Sequence, residues 1–253
     1  SFTSNVISPY LTIGTNVIIN KRNKPISSFP SMPKGNMPYD NGHLILSTDE
    51  KNNLVSDYPS ANKYIKKLYG SSEFIKKSER WCIWIDDDDL AYARQIEPIN
   101  IRINNVYKFR INSKDSAARK LASRSHQFRE TNTTSKQTII IPSVSSEKRN
   151  YIPIGFLDSS CIITNLAFAI YDCESWIFGV LTSHMHNLWI RAVCGSLETR
   201  IRYSSSLGYN TFPFPDINSE QRNAIKVCVF NILEEREKSS EKNFSELYNI
   251  NTM

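Results

Sequence analysis

The sequence of 253 residues has no uninterrupted apolar run of eighteen residues, which is the length that a membrane-spanning helix needs. Its start also lacks the features of a secretory signal peptide. We therefore expect a cytoplasmic protein that has no membrane partner. The chain opens on Ser-Phe-Thr and runs directly into an apolar stretch. This opening suggests a piece of a longer polypeptide.

Closely spaced cysteines and metal-binding motifs are also missing. The five cysteines are an odd number and lie far apart, mostly among apolar residues, which is typical of reduced thiols in the cytoplasm. No Cys-x-x-Cys pair occurs. His184 and His186 fall in a helical pattern, where residues two apart point in different directions. We therefore expect no metal site. The cysteines are Cys82, Cys161, Cys173, Cys194 and Cys228.

Common catalytic motifs are absent as well. The chain has no G-x-G-x-x-G, no P-loop, no G-x-S-x-G and no H-E-x-x-H. It also lacks the Asn-Pro-Pro-aromatic stretch and the glycine-rich loop of an adenine methyltransferase. The histidines are expected to be structural. The sequence thus predicts a chain that is not catalytic and binds no cofactor of its own.

What the sequence does have is an uneven charge. The formal net charge is +6, yet residues 101–150 alone hold eleven Lys or Arg against three acids. Such a concentration is typical of proteins that bind polyanions, and it favours a nucleic-acid partner. A solvated basic face is the alternative.

The pattern of apolar residues predicts an α+β fold. Strands and helices mix without regular alternation, so we expect a mixed, curved β-sheet with packed helices and an appended C-terminal helical segment. Strands are predicted within 8–21, 43–46, 80–85, 104–111, 137–144, 151–157 and 161–171. Helices are predicted within 59–70, 90–96, 114–125, 173–195 and 219–238.

Four consecutive aspartates, Asp86–Asp89, allow two interpretations. They precede a short predicted helix, where acids interact favourably with the helix dipole. A magnesium-dependent nuclease centre is the alternative, although adjacent carboxylates need partners from elsewhere to hold one ion.

The segment 197–215 reads LETRIRYSSSLGYNTFPFP and places Glu198, Arg200 and Arg202 on alternate positions. On a strand these side chains would project to one side. A C·G base pair offers a donor at cytosine N4 beside acceptors at guanine O6 and N7, so Glu198 and Arg200 together match it. Arg202 is a candidate for a neighbouring base. A surface ion pair is the alternative interpretation.

Further candidates for DNA contact lie elsewhere in the chain. Asn165 is a weaker candidate for a base contact. The basic turn at 145–150 has donors that suit phosphate oxygens, although a plain hairpin loop is equally compatible. The candidates for backbone contact are Arg124, Ser145, Ser146, Lys148, Arg149, Tyr203 and Ser204.

Several blocks of the sequence together resemble a known family. The blocks are SMPKGNMPYDNGHLIL, GSSEFIKKSERWCIWIDDDDL, SSEKRNYIPIGFL, AIYDCESWIFGVLTSHMHNLWIRAVCGSLETRIRYS and YNTFPFP. Over residues 8 to about 236 they are similar to the target-recognition region of MmeI-like type IIL restriction–modification enzymes and related single-chain bacterial DNA methyltransferases. The resemblance implies that residues 1–214 form a target-recognition domain and that 215–253 begin a helical segment.

The resemblance also implies a division of labour. The parent protein would carry an adenine-N6 methyltransferase domain that uses S-adenosylmethionine, and a nuclease that uses Mg²⁺ where one is present. This chain would read double-stranded DNA for both and contact the methyltransferase domain of the same polypeptide. In the family, the positions of Glu198 and Arg200 vary together with the base pair read, and Lys with Asp there would suit G·C.

Other functions stay open at this point. A specificity subunit that works with separate catalytic chains would use the same readout chemistry but would need a second recognition domain. A non-specific binder of RNA or single strands would rely on stacking aromatics and show no sequence preference. The small nuclease is the remaining alternative.

Overall fold

The structure, a computed structural model, describes residues 18–249. The strands predicted within 8–21 fall mostly outside these residues. The α-helices are α1 (Thr48–Asp57), α2 (Ser71–Lys76), α3 (Leu90–Ala93), α4 (Glu97–Ile111), α5 (Ser116–Lys120), α6 (Ser175–Thr182), α7 (His184–Val193), α8 (Ser219–Glu237) and α9 (Phe244–Leu247). None of the helices in this part of the chain has both the length and the apolar character needed to cross a membrane.

The strands are short. They are β1 (Ile45–Leu46), β2 (Ile65–Tyr69), β3 (Trp81–Ile83), β4 (Gln137–Pro142), β5 (Val144–Ser145), β6 (Gly155–Asp158), β7 (Cys161–Ile163), β8 (Ala167–Tyr171), β9 (Ser196–Leu197) and β10 (Arg200–Arg202). They form three small sheets, in the orders β1-β3-β2-β7, β5-β10-β9 and β6-β4-β8. The predicted α+β class is confirmed, and C-terminal helices are present.

The chain divides into two units, and strand β4 passes from one into the other. The sheet unit comprises residues 34–140 and 156–172. The hairpin unit comprises, among the described residues, 18–33, 141–155 and 173–249.

In the sheet unit, a mixed sheet supports the core. Strand β3 pairs antiparallel with β1 and β2, whereas β2 pairs in parallel with β7. Helix α4 buries Ile99, Ile103 and Val106, which are three to four residues apart and so share one helix face. The prediction of a strand at 104–111 was wrong, because this helical spacing continues through Val106 to the fully buried Arg110.

Arg110 is buried and bridges two loops. Its guanidinium donates to the carbonyl oxygens of Tyr39 at 2.9 Å and Gln127 at 2.7 Å, and to three further backbone carbonyls. Burial lowers the pKa of Arg110 to about 10, so the group stays charged at neutral pH. The five donors of one guanidinium thereby hold the segments around residues 38–39 and 121–127 in place.

The prediction of a helix at 59–70 was only partly right. A 3₁₀ helix covers Pro59–Tyr64, and the chain then enters strand β2. Because β2 pairs with β3 on one side and β7 on the other, sheet hydrogen bonds outweigh the local helix signals. Gly70 precedes helix α2 instead of ending a helix.

In the hairpin unit, the helix predicted over 173–195 is two helices. Ser183 between them is extended, with φ −61° and ψ 153°, and its hydroxyl accepts from the backbone N–H of His186. Serine is a preferred residue at a helix start, which explains the break. Met185 and Leu188 are exposed on α7.

Helix α8 lies against α6. It was predicted over 219–238 and is present as Ser219–Glu237, with Val229 buried. The two helices approach closely at Gly179, where an added Cβ would lie 2.5 Å from Cγ2 of Ile225. Glycine at this position therefore permits the contact.

Candidate nucleic-acid interface

The segment with alternating charges forms a β-hairpin. Leu197 pairs with Arg200 and Ser196 with Ile201, which leaves Glu198 and Thr199 as a two-residue turn between β9 and β10. We call residues 196–202 the reader hairpin. Glu198 is thus a turn residue and not, as predicted, a strand residue. Its φ of 57° lies in the left-handed region, which two-residue hairpin turns require and which Gly and Asn normally supply.

An acceptor and a donor lie side by side on this hairpin. Nη2 of Arg200 donates to Oε2 of Glu198 at 2.7 Å, and the two side chains are 46% and 75% exposed. Arg202 is also exposed, while Ile201 between the arginines is buried. The turn therefore brings Glu198 to Arg200, and strand alternation places Arg202 on the same face as Arg200.

A buried hydrogen bond supports the reader hairpin from within its unit. Tyr203, which follows Arg202, is buried, and its hydroxyl lies 2.9 Å from Nε2 of His186. Burial lowers the pKa of His186 to about 3, so the imidazole is neutral at physiological pH. Strand β10 and the residue after it thus expose Arg200 and Arg202 on one face and bury Ile201 and Tyr203 on the other.

The segment 212–215, Phe-Pro-Phe-Pro, follows the reader hairpin in the chain and packs onto the same histidine. The ring of Phe212 lies edge-on to His186 at 4.6 Å, and Phe214 stacks on Phe29 at 3.8 Å. Pro213 and Pro215 remain exposed between and after these rings. The alternation of buried phenylalanine and exposed proline keeps this segment extended and non-helical.

The predicted phosphate-contact residues at the end of β5 and in the loop after it differ in exposure. Ser145 is buried and pairs with Ile201 of the reader hairpin. Arg149 is half-buried and donates to the hydroxyls of Ser145 at 3.3 Å and Ser245 at 3.0 Å. Lys148 is exposed. The guanidinium of Arg149 therefore braces the loop.

The other predicted backbone contacts also make contacts within the chain. The Ser146 hydroxyl accepts from the N–H of Lys148 at 3.3 Å. The Ser204 hydroxyl accepts from the N–H of Leu207 at 3.2 Å, at the start of a π-helical turn at Ser205–Tyr209. Tyr203 is buried. Contact of these residues with DNA stays a prediction.

Two candidates, Asn165 and Arg124, belong to the sheet unit. Asn165 lies in the turn between β7 and β8, and its N–H donates to the Asn36 carbonyl at 3.1 Å. The guanidinium of Arg124 donates to Oε1 of Gln127 and to the Phe128 carbonyl, each at 3.3 Å, so it is bound to its own loop. Their DNA contacts also stay predictions.

The aspartate run has structural partners. Asp87 lies 2.8 Å from Nε2 of the buried His126 and accepts from Gln127, while Asp89 pairs with Lys63 at 2.7 Å. Burial lowers the pKa of His126, and Asp87 opposes this shift. Within residues 18–249, no group of three or more His, Cys, Asp or Glu is placed to hold a metal ion.

The sequence did not predict the two-residue turn of the reader hairpin or the close packing near it. Nothing in Leu-Glu-Thr-Arg marks a two-residue turn, since Gly and Asn are absent from it. The close packing at Gly208, where an added Cβ would lie 2.4 Å from Ile190, was missed too. The Trp189 indole donates to the Gly208 carbonyl at 3.0 Å and fixes the same turn.

The exposed hairpin of this α+β chain thus presents an acceptor at Glu198 and donors at Arg200 and Arg202, the groups with which recognition domains contact base edges. The chain belongs to the family described as "MmeI, target recognition domain", whose model matches residues 13–216.

Two known proteins are similar over almost the whole chain. "DNA methyltransferase A" of Bacillus subtilis (strain 168) is 40% identical over 247 residues, which are 98% of this chain and 28% of that protein. A solved structure of the type IIL restriction–modification enzyme MmeI in complex with DNA is 40% identical, with a TM-score of 0.93. The match covers 99% of this chain and 33% of that one. The chain thus spans a third or less of each relative's length.

Proposed function

We propose that this chain reads the base sequence of double-stranded DNA as the target-recognition domain of a longer bacterial polypeptide. The observation that carries the proposal is the exposed Glu198–Arg200 pair on the reader hairpin, in a chain that belongs to a target-recognition family. The relative of known structure was solved with DNA, which supports the same partner here.

The chemistry of the pair fits one base pair in particular. The Glu198 carboxylate accepts from cytosine N4, and the Arg200 guanidinium donates to guanine O6 and N7, so the two side chains read C·G in the major groove. In the free protein they satisfy each other. Binding exchanges this exposed ion pair, worth about 1 kcal/mol or less, for contacts that discriminate by roughly 1–3 kcal/mol each. Arg202 and Asn165 are the further candidates for base contacts.

The catalytic parts belong to the remainder of the longer polypeptide in this proposal. They are an adenine-N6 methyltransferase domain that uses S-adenosylmethionine and, where the parent cleaves DNA, a nuclease that uses Mg²⁺. Support comes from the methyltransferase and the restriction–modification enzyme to which the chain is similar. The protein would act in the cytoplasm, where a bacterial chromosome lies, and this chain would contribute no catalytic residue.

Selection from a randomised duplex library tests the proposal. The longer polypeptide that carries this chain is expected to enrich one motif that contains a C·G pair at a fixed position. Binding to single strands as tight as to duplexes, with no enriched motif, would favour the non-specific binder, and failure of that polypeptide to bind any duplex would contradict the proposal. The size of the polypeptide that carries this sequence in the cell distinguishes a single-chain enzyme from a separate specificity subunit.

A further inference from the structure

A small polar pocket lies between helix α7 and the loop that follows β5. It has a volume of about 360 Å³, and both of its walls belong to the hairpin unit. The polar and aromatic residues that line it are Glu147, Asn150, Tyr151, His184, Asn187 and Arg191. None of the last four was singled out as a DNA contact by the sequence.

The two walls are held together by specific hydrogen bonds. Asn187 is buried, and its side-chain oxygen accepts from the N–H of Ile152 at 2.9 Å while its amide donates to the Ser183 carbonyl at 2.9 Å. At the other end, the Arg191 guanidinium donates to the Arg149 carbonyl. The loop therefore has a fixed position against the helix, and the pocket exists before any ligand arrives.

The groups at the pocket suit an anion. Arg191 is exposed and supplies the positive charge, Asn150 supplies an exposed amide, and His184 supplies an imidazole whose ring lies 6.2 Å from that of Tyr151. Glu147 is the opposing carboxylate, and it is exposed at the rim beside Lys148. An arginine with spare donors in a concave site is the usual recognition group for phosphate oxygens.

The position of the pocket relates it to the reader hairpin. Its loop wall follows Ser145, which pairs with Ile201 in β10, and its helix wall runs from Arg191 into β9. Both walls thus lead within a few residues into the sheet that carries Glu198 and Arg200. The pocket and the hairpin that we propose to contact base edges are thus built from directly connected elements of one unit.

We propose that this pocket binds a backbone phosphate of the DNA duplex that the reader hairpin contacts, with Arg191 and Asn150 as the principal donors. This inference rests on the proposed function. It gives Arg191 the role that the sequence suggested for Arg149, whose guanidinium donates to two serines instead. A phosphate contact sets the position of the protein on the duplex and carries no sequence preference of its own.

The test is the salt dependence of binding by the longer polypeptide that carries this chain, measured on the selected duplex and on a scrambled duplex. Arg191→Gln is expected to weaken binding by the same factor on both. It should also make the slope of log K against log salt shallower by about 0.9, the loss of one phosphate contact. Lys242→Gln, which removes an exposed charge outside the pocket, should leave the slope unchanged.

A second variant distinguishes phosphate binding in the pocket from a purely structural role of Arg191. Asn150→Asp adds a negative charge to the pocket without changing the shape of the side chain, and it should weaken binding to both duplexes. The control Asn223→Asp, at an exposed position of α8, should have little effect. Unchanged slope and affinity in the pocket variants, with a wild-type chain that still prefers its motif, would overturn the pocket alone. Failure of the wild-type polypeptide to bind any duplex would instead contradict the proposed function.

Discussion

At the scale of single residues, Glu198 combines a strained backbone conformation with a side chain that we propose to contact a base. A left-handed conformation costs a residue with a Cβ about 1 kcal/mol, yet a glutamate occupies this position at φ 57°. Backbone strain of this kind is frequent at functional sites, which agrees with a role of the Glu198 side chain in recognition.

The change Glu198→Asn separates the effect of the backbone strain on stability from the effect of the side chain on base recognition. Asparagine tolerates the left-handed region, so we expect the free energy of unfolding to rise by about 1 kcal/mol in a urea titration. Preference for C·G at one position of the selected motif should be lost. Lys77→Asn at φ 53° in the sheet unit is the matched control, which should gain stability and keep the motif. A less stable Glu198→Asn chain with an intact motif would contradict this prediction.

His186 predicts how stability depends on pH. Its pKa is about 3 in the folded protein because of burial, against an ordinary value of 6.5. As the pH falls below 6.5, the unfolded chain binds a proton that the folded chain refuses, so stability is lost towards pH 3 by up to about 1.4 kcal/mol per pH unit. Above pH 6.5 this contribution is complete.

Urea titrations at several pH values measure this dependence. His186→Asn should lower the overall stability but flatten the slope between pH 6 and about 4. His126, whose pKa burial also lowers, contributes with the same sign and keeps part of the slope in the variant. Equal slopes in the wild type and the variant would show that His186 is not the group responsible.

At the scale of secondary-structure elements, the contact between α6 and α8 depends on one glycine. Alanine at position 179 would raise helix propensity, but its Cβ would lie 2.5 Å from Ile225 and 3.0 Å from Val229. Overpacking of this kind costs about 1–3 kcal/mol. We therefore expect Gly179→Ala to lower the thermal midpoint, and Ile225→Ala in the same chain to restore part of it.

Gly195→Ala provides the control for this contact. No atom lies within 4 Å of a Cβ built at Gly195, so this change should not destabilise the protein. A higher thermal midpoint in Gly179→Ala than in the wild type would mean that helix propensity outweighs the packing of α8.

The elements also show what a sequence can predict. Helix α8 was predicted from its helical periodicity, and strand β4 from its unbroken run of isoleucine. The structure has both almost at the predicted bounds. The segments 59–70 and 104–111 were misassigned, because the pairing of β2 and the burial of Arg110 are non-local. The reader hairpin was missed because its turn contains neither Gly nor Asn.

The candidate site was predictable in part. The charged residues at 198, 200 and 202 stood out by type and spacing, and the resemblance to a known family gave them a role. The contacts that position these charged residues were not predictable. His186 holds Tyr203, which follows the hairpin, and Ser183 begins helix α7, which leads into it.

At the scale of the whole molecule, the charge of residues 101–150 predicts strongly salt-dependent binding. Removing exposed lysines there, as in Lys114→Gln with Lys120→Gln, should weaken binding to every duplex by a similar factor, because phosphate contacts do not read sequence. The pair Lys76→Gln with Lys242→Gln, outside this region, is the charge-matched control. Equal losses from both pairs would show that net charge alone matters.

The most direct test of base reading is a charge exchange on the reader hairpin, Glu198→Lys with Arg200→Asp. The motif selected from a randomised duplex library is expected to change from C·G to G·C at one position and to stay the same elsewhere. The control exchanges another exposed ion pair with a 2.7 Å contact, in Glu235→Lys with Lys238→Glu, and should leave the motif unchanged. An unchanged motif in a folded Glu198→Lys, Arg200→Asp chain would contradict the assignment of Glu198 and Arg200 as base readers.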